Sequence, residues 1–131
     1  MDEAKSIEEL EKDYWKDVDF PTSLVEKCFQ YRRIPIKDLT VEQIRLLLGQ
    51  KIGIKYLLPK ALLILQENIL AEGDCYPGDL LACVLRLDIS KWKEHYGLQH
   101  RFDDLLTLKK SEIQNSEDRQ LLKMIADYEE H

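Results

Sequence analysis

The chain has 131 residues, 44% hydrophobic and 34% charged, with a formal net charge of −6. That balance excludes a disordered chain and predicts one globular domain, residues 1–131, with a core that needs no disulfide or metal. The charge disfavours a direct nucleic-acid partner, and Lys55, Pro59, Lys60 and Glu67 break the most apolar window, so no membrane span is expected.

Met1 is followed by charged residues rather than an apolar run, so no signal peptide is expected. The cysteines are Cys28, Cys75 and Cys83. An odd count without a C-x-x-C pair predicts reduced thiols and a cytoplasmic location. Charge is unevenly spread. Residues 1–21 carry eight acids and three bases, residues 22–60 three acids and eight bases, and residues 61–85 four acids and no base. Such sorting could serve a basic partner or simply be a set of solvated faces.

In chain order, Ser6-Ile7-Glu8-Glu9 is a capping box that opens a helix to about residue 16, with Ile7, Leu10 and Tyr14 inward. Trp15 is expected at the edge of that face. Pro21 interrupts, and Thr22 or Ser23 caps a second helix ending near Arg33, with Leu24, Cys28 and Tyr31 on one face. Thr40-Val41-Glu42-Gln43 is a second capping box, and its helix runs to about Leu48, closed by Gly49. Gly53 suits a further bend, and residues 56–58 suit one helical turn. Pro59 then suits the first position of a fourth helix, ending near Leu70.

Two continuous apolar runs, residues 61–65 and 80–85, look too apolar for surface helices, so both are expected to be buried. Leu47, Leu62, Leu65, Leu81, Val84 and Leu85 are the expected core. The polar loop between the runs, AEGDCYPGD (residues 71–79), must reach the surface. Pro77 suits a first turn, with Asp79 favoured by the dipole of the helix it opens. Asp88 or Ser90 caps a sixth helix closed by Gly97, Leu98 to Ile113 suggest a seventh, and Ser116 caps an eighth with Leu121, Leu122, Ile125 and Tyr128 inward. The fold class is all-α: a compact bundle of about seven or eight short helices around two buried central ones.

Catalytic patterns are incomplete. His95 and His100 lie five apart, which is not the spacing of a helical zinc site. Gly73 and Gly78 match G-x-x-x-x-G, but Asp79-Leu80 follows where a phosphate loop needs Lys and Ser or Thr. Glu72, Asp74 and Asp79 could form a carboxylate cluster, yet they lack calcium-loop spacing, and the better reading has Asp79 stabilising a helix start and Asp74 satisfying loop amides. Cys28 and Cys83 read as core thiols and Cys75 as an exposed one. Lys27, Arg32, Arg33 and Lys37, interleaved with Phe29 and Tyr31, are either a nucleic-acid surface or a solvated face. No metal, cofactor or catalytic residue is expected.

Several segments carry a resemblance. They are LEKDYW (residues 10–15), LVEKC (24–28), R-x-P-x-K-D-x-T (33–40), I-R-L-L-L-G-Q-x-I-G (44–53), Y-L-x-P-x-A-L (56–62) and N-x-L-A-E-G-D-x-Y-P-G-D-L-L (68–81). With these the chain resembles the immunity proteins of contact-dependent growth inhibition (CDI) systems of Gram-negative bacteria. Beyond about residue 96 the similarity is one of helical pattern only. The resemblance implies a non-enzymatic cytoplasmic protein whose partner is the C-terminal domain of a cognate toxin. That toxin is expected to be basic, to be a nuclease, and to be blocked by occlusion of its active site. An acidic surface suits such a partner, and Glu72, Asp74, Tyr76 and Asp79 are the candidate toxin-binding residues. Two other readings stay open: a small helical nucleic-acid-binding regulator, and a carboxylate-based hydrolase.

Overall fold

A computed structural model describes residues 3–15, 22–87, 92 and 95–130. Among these the chain is helical: α1 (Ile7–Glu11), α2 (Ser23–Tyr31), a 3-10 turn (Ile36–Asp38), α3 (Val41–Gly49), α4 (Ile54–Glu67), α5 (Asp79–Leu85), α6 (Tyr96–Leu108), α7 (Lys110–Asn115) and α8 (Arg119–Glu129). The only β-type pairings among them are two isolated bridges, Ser6 with Pro35 and Glu72 with Pro77.

Both capping boxes form. Ser6 Oγ accepts from Glu9 N–H while the Glu9 carboxylate accepts from Ser6 N–H, and Thr40 and Gln43 repeat the exchange. α5 is the hub, with all seven of its residues buried, and it packs on α3, α4 and α8. α4 adds contacts to α3 and α6. The six expected core residues are all buried in one contiguous cluster.

Several local expectations are corrected. Pro59 does not begin a helix; it lies inside α4, which starts at Ile54. An interior proline removes one backbone hydrogen bond and costs about 3 kcal/mol. Here Ile54, Leu57, Leu58, Ala61, Leu62 and Leu65 make one buried stripe across the proline. At roughly 1.5–3 kcal/mol for each large side chain, that burial outweighs the lost bond. α4 is accordingly buried on one side and not all round: Leu63, within the first apolar run, is 51% exposed.

α1 stops at Glu11 rather than near residue 16, with Lys12 left-handed, and Tyr14 points outward, 62% exposed. The cause is Arg32. This buried guanidinium takes the Glu11 carboxylate at 2.8 Å and the Asp13 carbonyl at 2.9 Å, and Trp15 stacks on it at 4.2 Å. The chain leaves its helix to wrap the cation, which turns Tyr14 away from the core.

Gly97 lies inside α6 instead of closing a helix, and the expected seventh helix is two, α6 and α7. The cap of α8 is Asp118, whose carboxylate accepts from Leu121 N–H at 3.0 Å. Ser116 instead donates to the Ile113 carbonyl and accepts from Asp118 N–H, tying the turn before α8. The proposed caps Asp88 and Ser90 lie outside the described residues.

Two stability measurements follow. Leu81→Ala, at a site with no exposure, should cost about 2–5 kcal/mol in denaturant unfolding. Pro59→Ala should raise stability, because alanine restores the bond to the Lys55 carbonyl. Loss of stability in that variant would contradict the proline account.

Candidate functional site

The loop of residues 72–79 is built around one carboxylate. Asp79, the first residue of α5, is 3% exposed. Its Oδ1 accepts from Gly73 N–H at 2.7 Å, and its Oδ2 accepts from Cys75 N–H at 3.0 Å and Tyr76 N–H at 3.4 Å. A buried carboxylate is tolerated only when so paired. Irregular backbone has the converse need, since its amides lack helical partners. Each supplies what the other lacks. Arg45 Nε lies 3.8 Å from Asp79, an ionic contact without a hydrogen bond.

A second latch comes from α3. Glu42 accepts twice from Arg45, from Nε and Nη2 at 2.6 Å each, and its Oε1 also accepts from Asp74 N–H at 3.0 Å. The Arg45 hydrogen bonds hold the Glu42 carboxyl below its ordinary pKa. Gly73 makes this approach possible. A Cβ there would lie 2.5 Å from Glu42 Oε1 and 3.2 Å from the Glu42 Cα. Gly78 has φ +89°, which favours glycine, and turns the chain into α5 while its N–H bonds the Leu70 carbonyl.

The four candidate residues therefore sit together but differ in kind. Glu72 and Asp74 are exposed, Tyr76 is half-buried against the core, and Asp79 is inside. Glu42 and Arg45 were not singled out from sequence. Their contact to the loop spans 32 positions and leaves no local signal.

The other patterns resolve structurally. Cys28 and Cys83 are buried, and burial pushes the Cys83 thiol up to about 11, so neither suits nucleophilic chemistry. Cys75 is exposed. Two of the four cations around α2 are engaged, Arg32 as described and Arg33 by Phe29 at 5.5 Å and Glu8 at 3.6 Å, while Lys27 and Lys37 are exposed. Asp79, committed to loop amides, is poorly placed for hydrolysis. Among the described residues no group of three His, Cys, Asp or Glu side chains could hold a metal ion. No helix there is long and apolar enough to cross a membrane.

A family model described as CDI immunity proteins matches residues 9–102. The chain belongs to the CDI immunity protein family. Membership implies an immunity function directed at a cognate CDI toxin. The match contains α2 to α5 and the whole 72–79 loop, and it ends within α6. No curated protein and no solved structure matches the chain.

The latch can be tested by stability. Asp79→Asn places an amide among amide donors and should cost about 1–3 kcal/mol. For Glu42 the folded pKa is depressed, so its contribution is present above the unfolded pKa and is lost as pH falls through the folded one. Unfolding measured across acid pH should show a shallower loss for Glu42→Gln than for the parent chain. An identical pH profile would count against the latch.

Proposed function

We propose that this CDI immunity protein neutralises a basic toxin domain, encoded beside it, by binding over the toxin's active site in the cytoplasm. The toxin is a nuclease in this reading, and the immunity protein acts as a single domain without catalysis. The family match supplies the partner. The observation that carries the site is the doubly latched loop, which presents Glu72 and Asp74 to solvent from backbone already fixed by Asp79 and Glu42. A pre-ordered surface loses little conformational entropy on binding.

Opposite potentials accelerate encounter and fix orientation but do not alone give a tight complex. Nanomolar affinity needs about −12 kcal/mol. Tyr76, half-buried beside the acids, is the proposed apolar anchor. Asp79 serves as a positioning residue, holding the loop without touching the toxin.

Co-expression with the C-terminal toxin domain encoded upstream should restore survival of cells making that toxin. In vitro, Glu72→Lys with Asp74→Lys should slow association and weaken its salt dependence at an almost unchanged melting temperature. Unchanged association kinetics in the folded double variant would move the interface away from the loop.

A further inference from the structure

Beside the acidic loop lies a groove of about 350 Å³, with Tyr76 of the loop and Gln120 of α8 in its lining. It runs against the chain's overall charge, because Arg45, Lys51 and Arg86 all line it. Its one acid, Asp79, is buried and committed to loop amides. Arg45 is held by Glu42. Lys51 and Arg86 are exposed, and among the described residues neither forms an ion pair. Water-facing cations thus dominate the groove of a protein whose net charge is −6.

The backbone at Lys51 is fixed by its hydrogen bonds, in a left-handed form that Lys12 and Glu117 also take. α3 ends with Lys51 N–H bonding the Leu48 carbonyl and Ile52 N–H bonding the Leu47 carbonyl. This pair of bonds is the Schellman ending, whose left-handed position ordinarily goes to glycine or asparagine. Lys51 occupies it at φ +61°. Glycine would relieve the backbone, and lysine offsets that strain only in part, through the favourable dipole at the α3 C-terminus. What lysine adds is a cation at the groove. Arg86 stands at the end of α5, the most buried helix, with its N–H bonded to the Ala82 and Cys83 carbonyls, so its backbone is equally fixed.

We infer that this groove seats an acidic segment of the cognate toxin, with Lys51 and Arg86 taking its carboxylates. The inference rests on the proposed function and deepens it. The toxin-facing surface is two-signed, with Glu72 and Asp74 next to Lys51 and Arg86. A two-signed surface rejects a partner that is merely basic, because only one orientation satisfies both halves. The volume suits one or two side chains and not a folded element.

The test uses the full-length chain and the upstream-encoded toxin domain, read by binding affinity and thermal melting. Lys51→Glu with Arg86→Glu should weaken binding about tenfold or more, with only a small drop in melting temperature from placing acids at two helix C-termini. Lys51→Gly separates fold from function: it should melt at or above the parent temperature yet bind the toxin more weakly. If the parent chain binds and the folded double variant binds equally well, the groove is not a toxin seat, while the proposed function stands. Parent melting raised by citrate, with toxin affinity untouched by these substitutions, would make it a small-anion site and overturn the inference. If the parent chain itself fails to bind the toxin domain, the proposed function falls and this inference with it.

Discussion

The 72–79 loop depends on one buried carboxylate. Asp79 lies at the start of the most enclosed helix and would be costly there as an unpaired charge. The amides of Gly73, Cys75 and Tyr76 converge on it, and the loop's path follows from that convergence. Helix and loop are therefore one unit: α5 cannot stay buried with Asp79 bare, and the loop cannot leave without orphaning its amides. Glu42 repeats the logic from α3, where Arg45 holds it, and ties that helix to the loop at Asp74, 32 positions away.

A second buried charge, Arg32, organises the other end. It gathers Glu11, the Asp13 carbonyl and Trp15, and in doing so shortens α1 and turns Tyr14 outward. It also removes a cation from the cluster on and after α2 that could have served a nucleic-acid backbone. Acids near the chain start and bases around residue 32 are thus partly one internal network. Their sorting along the sequence reflects packing as much as any partner. By contrast, Glu72 and Asp74 keep their side chains at the surface, and Lys51 and Arg86 keep their charge exposed.

What could be read from sequence was local. Ser6 with Glu9 and Thr40 with Gln43 complete their boxes within three residues, so no distant contact decides them. The α5 run was legible because its apolar density favours burial all round, whereas the same density in the first run misled at Leu63, which is exposed. Pro59 misled because a local rule, proline at a helix start, met a tertiary gain spread over six buried residues. Ser116 misled because Asp118, two residues on, takes the cap while serine ties the turn. That the loop reaches the surface was legible, but the part Asp79 plays inside it was not. Asp79 looks like any helix-start acid in sequence, and its exchange with the loop amides appears only once the chain folds back over α5.

In the proposed function, the loop's order before binding separates a surface ready to meet a toxin from a mobile acidic segment. Amide hydrogen exchange in the free chain addresses that order most directly. The Gly73 and Cys75 amides should be protected to a degree approaching α5, and Asp79→Asn should release them while α3 and α4 stay protected. Free exchange of those two amides in the parent chain, at the rate of an unstructured loop, would contradict the account.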